Sequence, residues 1–205
     1  MAIRHLTKKD KRLSSLIAYV GSYSIDLRTD YFASLVKSII SQQLSAKAAS
    51  SIWTKVLKIC PLITPEALYV VGTDALKGVG ISSAKLKYLE NLTSRVATGE
   101  LNLNTINTLT DEEVIYSLTQ VKGIGRWTAE MFLIFSLGRE DIFAFDDVGL
   151  QRAVKWLYML DDVSPDKLKV LSEEWKPYRT AASLYLWEVI NQDFIKRSPN
   201  DVLIF

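Results

Sequence analysis

The chain has 205 residues, of which 48% are hydrophobic, enough for one domain or two small lobes around a buried core. Its formal net charge of +2 is too small to indicate a nucleic-acid partner, so any such surface must come from local clusters of Lys and Arg. The single cysteine, Cys60, excludes an internal disulfide and a Cys-based zinc site, and the single histidine, His5, leaves almost nothing for His-dependent mechanisms.

No apolar run approaches the roughly 20 residues that span a bilayer, and the N-terminus lacks the apolar core of a signal peptide. We therefore expect an intracellular protein without a membrane partner, in the cytoplasm or nucleoid, or in the nucleus of a eukaryote.

The first third of the chain predicts helices. After a basic N-terminal cluster, a helix is expected around Leu13 to Tyr19, and Asp30 stands where an N-cap would precede a second, buried helix. The segment SQQLS interrupts the apolar pattern, which then resumes as far as Cys60. Gln42 and Gln43 lie at this interruption, where amide side chains more often cap or bridge backbone groups than bind a ligand.

The segment 74–89 contains a Gly-x-Gly turn ahead of a helix. In that helix Leu86 and Leu89 are expected to face inward and Lys85 and Lys87 outward. Further along, Thr110 and Glu113 form a capping-box pattern.

The stretch TQVKGIGRWTAEMFLIF combines a second Gly-x-Gly turn with a helix. Gly123 and Gly125 flank Ile124, which can point inward, while the helix N-terminus offers free N–H groups to an anion beside Lys122 and Arg126. Alone, the motif is also compatible with an ordinary tight turn between packed helices.

An acidic pair, Asp146 and Asp147, precedes the next apolar helix. An Asp in this position is usually an N-cap. Further helices are expected from Ser164-Pro165 and from Ala181 to Gln192, and no segment shows a strand pattern. The sequence therefore predicts an all-α fold.

Residues 118–135, LTQVKGIGRWTAEMFLIF, resemble the helix-hairpin-helix of the DNA glycosylase superfamily. The likeness is to the alkylation-repair 3-methyladenine DNA glycosylases (type II), which SQQLSAKAAS at 41–50 and WKPYRTAASLYLW at 175–187 also resemble. The resemblance implies a single domain over 1–205 without an added N-terminal β domain. Its two helical lobes would share a central cleft, with the hairpin at about 112–137 and a catalytic loop at about 138–147.

The resemblance also implies the roles of individual residues. Asp147 would be catalytic, with Asp146 as the N-cap, and Trp127 stands where backbone-cutting relatives carry a Lys whose amine forms a Schiff base. A monofunctional glycosylase is therefore expected, which flips out and hydrolyses 3-methyladenine and 7-methylguanine from double-stranded DNA. The implied base pocket is Trp127, Trp187 and Gln42; the DNA-backbone contacts are Lys122, Gly123, Ile124, Gly125, Arg126 and Thr128; and the duplex wedge is Ile81, Ser82 or Ser83.

An iron–sulfur cluster of the kind found in some relatives needs four cysteine ligands, and the chain has only one cysteine. No metal or cofactor is expected apart from a possible monovalent cation at the hairpin, and we expect a monomer. Two other interpretations stay open from the residues: a non-catalytic helix-hairpin-helix DNA-binding module, and an all-α interaction protein without DNA affinity.

Overall fold

The computed structural model describes residues 1–203 of the chain. This range contains twelve α-helices and two short 3₁₀ helices and no β-strand, which confirms the all-α prediction. The chain divides into two compact units. The terminal unit consists of Met1–Asp26 together with the residues from Gly138 onward, and the central unit is Leu27–Leu137.

The central unit holds six α-helices and the first 3₁₀ helix. They are α3 (Tyr31–Ser41), α4 (Ala46–Ile59), α5 (Pro65–Gly78), α6 (Ser83–Ala97), the 3₁₀ helix Ile106–Thr108, α7 (Asp111–Thr119) and α8 (Arg126–Phe135). Helix α3 packs against α4, α6 and α8, and its apolar side chains from Leu35 to Ile40 are buried. The predicted caps are confirmed: Asp30 accepts from the Ala33 N–H at 2.9 Å, and Thr110 and Glu113 form the capping box.

The terminal unit joins both ends of the chain. Its helices are α1 (Ala2–Lys9), α2 (Lys11–Val20), α9 (Val148–Tyr158), α10 (Pro165–Glu173), α11 (Arg179–Asn191) and α12 (Pro199–Val202), with the 3₁₀ helix Phe194–Lys196. Helix α11 packs against α9, α2 and α1, and its residues 182–186 are all buried. A helix buried around most of its circumference has neighbours on several sides, so α11 is the core element of this unit.

Asp10 links these segments through its carboxylate. One oxygen accepts from the Leu13 N–H at 3.0 Å and so caps α2, while the other accepts from the Tyr158 hydroxyl and from Trp175 Nε1 at 2.9 Å. Trp175 is fully buried. Burial and the neighbouring carboxylate raise the pKa of the Tyr158 hydroxyl, which therefore stays a hydrogen-bond donor.

Three α-helices were not anticipated from the sequence: α1, α5 and the short α12. Helix α1 lies in the basic N-terminal segment, and Asp10 separates it from α2. Helix α5 begins after the N-cap Thr64 with Pro65 in its first turn, a recognisable start signal, but Gly72 at φ +76° kinks it and breaks the apolar periodicity. None of the helices within residues 1–203 has both the length and the apolar character needed to cross a membrane.

Candidate active site

The predicted hairpin turn joins α7 to α8 in the central unit. Gly123 has φ +85°, and a β-carbon there would lie 2.3 Å from the Tyr88 ring, so this position requires glycine. Ile124 is 4% exposed, as expected for a side chain that anchors the turn. Gly125 is the N-cap of α8 at φ −90°; it offers no side-chain cap, and a β-carbon there would meet nothing within 4 Å. The start of α8 therefore combines a helix dipole with an unobstructed backbone.

The two basic residues of the turn are more constrained than the sequence suggested. Arg126 pairs with Glu112 at 2.9 Å and with the nearly buried Glu130 at 3.1 Å. These carboxylates raise the pKa of the Arg126 guanidinium, and much of its charge is neutralised within the protein. The backbone N–H of Lys122 donates to Asn91 Oδ1 at 2.8 Å, so this amide is also satisfied internally.

Thr128 and Ile81 are both buried. Thr128 is 8% exposed and lies in the first turn of α8, so its side chain is not available to DNA, and a contact through its backbone N–H stays a prediction. Ile81 is 3% exposed and packs in the interior, so it cannot enter a duplex without leaving the core. Ser82 caps α6 through the Lys85 N–H at 3.5 Å, and Ser83 is the first residue of that helix. Both serines are exposed, and the wedge role stays a prediction for them.

Gln42 and Trp127 lie in the same unit as the hairpin. The Gln42 side-chain amide donates to the Gly123 carbonyl at 2.7 Å, so it bridges backbone groups, which is the more ordinary of its two expected roles. Trp127 lies in the first turn of α8 and is 47% exposed, so its ring is not core packing. Base-pocket roles for both residues stay predictions.

The acidic pair lies at the start of α9 in the terminal unit, and the prediction that Asp146 caps this helix is wrong. Asp147, not Asp146, is the N-cap: its Oδ1 accepts from the Leu150 N–H at 2.8 Å. The physical reason is the position of the helix start. Since α9 begins at Val148, only the residue immediately before it can reach the first-turn amides. Asp146 is exposed and makes no cap.

Asp147 also receives a second hydrogen bond. Trp187 Nε1 on α11 donates to the same Oδ1 at 3.2 Å, so the structure brings these two predicted site residues together. A β-carbon on Gly149 would lie 2.9 Å from that oxygen, so glycine at this position leaves room for the carboxylate. The loop before it is held by Gln151, whose amide donates to the Phe145 carbonyl at 2.8 Å.

Several residues that shape these segments were not singled out from the sequence. Tyr88 and Asn91 contact the hairpin from α6, and Gly149 contacts Asp147. The prediction that Lys85 points outward is wrong, because its ammonium donates to the carbonyls of Ile40 and Gln42 at 2.8 and 2.7 Å. Among Tyr88, Asn91 and Gly149, only Gly149 could have been recognised from the sequence. A glycine in the first turn of a helix costs stability, which suggests that another group approaches it closely.

A glycine hairpin with an uncapped helix start, followed in sequence by an aspartate at the start of the next helix, is typical of helix-hairpin-helix DNA repair proteins. Residues 36–178 match the HhH-GPD superfamily base excision DNA repair protein family, and the chain belongs to that family.

Individual relatives match over most of the chain. DNA-3-methyladenine glycosylase 1 of Schizosaccharomyces pombe is 35% identical over 194 residues, which cover 90% of this chain and 84% of that protein. The crystal structure of a Bacillus halodurans DNA-3-methyladenine glycosidase has a TM-score of 0.86 and 39% identity, covering 97% of this chain and 92% of its own. The S. pombe 3-methyladenine DNA glycosylase Mag1, solved in complex with abasic DNA, has a TM-score of 0.84 and 32% identity. The match covers 93% of this chain and 96% of the Mag1 chain.

Proposed function

We propose that this chain is a monofunctional DNA glycosylase that hydrolyses the N-glycosidic bond of 3-methyladenine and 7-methylguanine in double-stranded DNA. Relatives that match most of the chain at 32–39% identity carry the name 3-methyladenine glycosylase or glycosidase, which supports this substrate class. The observation that carries the proposal is the Asp147 carboxylate, whose Oδ1 is held by the Leu150 N–H at 2.8 Å and by Trp187 Nε1 at 3.2 Å.

Asp147 supplies the negative charge in this mechanism. As the bond between the sugar C1′ and the base nitrogen breaks, positive charge develops on the deoxyribose, and a fixed carboxylate stabilises it. A water molecule oriented by the same carboxylate then bonds to C1′ and loses a proton. The base departs with the electron pair of the broken bond, leaving an abasic sugar in an intact strand.

The absence of an amine determines the product. Backbone-cutting relatives resemble this chain at the hairpin but carry a lysine where Trp127 stands. Since tryptophan cannot form an imine with C1′, the attacking nucleophile is water and the phosphodiester backbone is left uncut.

Charge on the base determines the substrate class. A purine methylated at N3 or N7 is already cationic and leaves readily, whereas a neutral base needs a proton donor, and no second acid was evident in the sequence. A cationic base also gains about 1–2 kcal/mol by stacking on an electron-rich ring when water is excluded. Trp187, which contacts Asp147, is the aromatic side chain proposed for this contact. A base-pocket role for Trp127, an exposed residue of the central unit, stays a separate prediction.

The hairpin would hold the DNA backbone. At the start of α8, no protein atom obstructs the space beside Gly125, and no side chain caps the helix. A phosphate oxygen could therefore approach the backbone N–H groups there. A monovalent cation bound by turn carbonyls stays a prediction, as does the monomeric state. The Gly123 carbonyl already accepts a hydrogen bond from Gln42, so a cation would share that oxygen or use its neighbours.

Base release from methylated DNA tests the proposal. Duplex DNA treated with dimethyl sulfate is incubated with the protein, and the released bases are separated by chromatography while the strands are analysed on a denaturing gel. We expect free 3-methyladenine and 7-methylguanine, and strands that break only after alkali. Duplex binding without release of either base would instead identify a non-catalytic DNA-binding module.

A further inference from the structure

Helix α6 contacts the hairpin region along one face. Lys85, Tyr88 and Asn91 are spaced three residues apart and therefore lie on the same side of the helix. Tyr88 packs under Gly123, and Asn91 accepts from the Lys122 N–H at 2.8 Å. Lys85 reaches instead to the end of α3.

The Lys85 ammonium satisfies the end of α3. It donates to the Ile40 carbonyl at 2.8 Å and to the Gln42 carbonyl at 2.7 Å. The last carbonyls of a helix lack intrahelical partners and carry its negative dipole end, so a cation is favoured there. Burial of the ammonium lowers the pKa of Lys85, because the charged form is less well solvated there than in water.

Gln42 transmits this contact to the hairpin. Its main-chain carbonyl is held by Lys85, and its side-chain amide donates to the Gly123 carbonyl at 2.7 Å. The next residue, Gln43, has φ +55°, so the chain leaves α3 through a turn of narrow conformational range. The direction of the Gln42 side chain is therefore set by the main chain that Lys85 holds.

The peptide between Gly123 and Ile124 is thus fixed at both ends. Its carbonyl accepts from Gln42, and its N–H donates to the Val121 carbonyl at 3.0 Å. This peptide leads directly into Gly125 and the first turn of α8. Its orientation consequently sets where the amides proposed to meet a phosphate point.

We propose that Lys85 is a positioning residue which, through Gln42 and the Gly123 carbonyl, orders the hairpin turn before DNA binds. The inference rests on the proposed function for its consequence, a higher affinity for DNA. Preordered amides bind a phosphate without a further loss of conformational entropy, whereas a loose turn must be ordered during binding.

The contacts from Lys85 to the Gln42 carbonyl and from the Gln42 amide to the Gly123 carbonyl form a relay, and two substitutions break it at different points. Lys85→Met keeps the length of the side chain but removes the ammonium, and Gln42→Leu removes the amide donor at the end of α3, outside the core. Lys87→Met is the matched control, because Lys87 is an exposed lysine on the same helix, and its loss changes the net charge equally.

The first measurement needs no DNA. Amide hydrogen exchange of segment 120–127 should become about tenfold faster in Lys85→Met and in Gln42→Leu, and should not change in Lys87→Met. Unchanged exchange in both relay variants would overturn the proposal, whatever their DNA affinity.

The second measurement uses a fluorescent duplex with one tetrahydrofuran abasic-site analogue, titrated between about 50 and 200 mM salt. We expect Lys85→Met to raise Kd roughly tenfold with an unchanged salt slope, and the double variant with Gln42→Leu to bind no more weakly than the weaker single variant. A slope smaller by about 0.9 would show that Lys85 contacts a phosphate itself, and additive effects would show that the two side chains act independently. Either result would overturn the relay. Failure of the wild-type protein to bind the duplex would refute the proposed function, and the exchange result would still decide whether Lys85 orders the turn.

Discussion

The substitution Asp147→Asn separates the two tasks of this side chain. Asparagine caps helices about as well as aspartate, and its oxygen can still accept from the Leu150 N–H and Trp187 Nε1. The negative charge is lost, and an amide group replaces the second carboxylate oxygen. A negative charge near a helix N-terminus contributes about 0.3–1 kcal/mol, so the free energy of unfolding should fall by no more than that. The single-turnover rate of base release should fall about 100- to 1,000-fold, because a preorganised electrostatic partner of the transition state is removed.

Asp147→Ala should be less stable than Asp147→Asn but should release bases equally slowly. It loses the cap, at a cost of about 1 kcal/mol. It also removes the acceptor of the half-buried Trp187 N–H, at a cost of about 1 kcal/mol more. For a chain of this size each kcal/mol lowers Tm by about 2–4 °C. Base release should be as slow as in Asp147→Asn, since both variants lack the carboxylate.

Asp30 provides the matched control in the central unit. It is an exposed aspartate that caps α3 through the Ala33 N–H at 2.9 Å, so Asp30→Asn and Asp30→Ala repeat the capping change without the proposed chemistry. Thermal unfolding and single-turnover release from a methylated duplex should show a loss of stability in Asp30→Ala at wild-type activity. A folded Asp147→Asn variant that releases bases at the wild-type rate would refute the catalytic role. Loss of activity in Asp146→Asn instead would transfer that role to the exposed neighbour.

Three further predictions concern the hairpin. Gly125→Ala should weaken binding to duplexes of every sequence alike, because the added β-carbon meets no protein atom within 4 Å but hinders the approach of a phosphate. Unchanged affinity in a folded Gly125→Ala variant would mean that the turn is only structural. Gly123→Ala should instead lower Tm, because its β-carbon clashes with the Tyr88 ring. Glu112→Gln should tighten duplex binding several-fold and steepen its salt dependence, because it removes one of the two carboxylates that pair with Arg126 while the contact with Glu130 remains; an unchanged titration would show that this guanidinium does not reach DNA. Borohydride should trap no protein–DNA adduct, since Trp127 offers no amine, and a covalent adduct would contradict the monofunctional mechanism.

Local patterns in the sequence predicted the helices and their caps well. The start of α3 at Asp30 and the capping box of α7 follow from interactions within four residues, which a sequence displays directly. The buried Ile124 follows from the geometry of a Gly-x-Gly turn. The kinked α5 was not predicted, because Gly72 shifts the apolar face partway along the helix and interrupts the helical periodicity.

The contacts of the candidate site depend on distant parts of the chain. Whether Asp146 or Asp147 caps α9 turns on a one-residue difference in the helix start, which is the least certain feature of a periodic pattern. Lys85 was expected outside because it is charged, but α6 packs against α3, whose terminal carbonyls need a donor. The neutralisation of Arg126 likewise requires Glu112 from another helix, and no local pattern reveals that pairing.

The selectivity of base release tests the proposed function most directly. Single-turnover rates should be measured on otherwise identical duplexes that carry 7-methylguanine, 3-methyladenine, uracil or 8-oxoguanine. We predict that both methylated purines are released much faster than uracil or 8-oxoguanine, and that Trp187→Ala erodes this preference, because a cationic base leaves without a proton donor and stacks on an electron-rich ring. Comparable rates on uracil and on the methylated purines would contradict the proposed function.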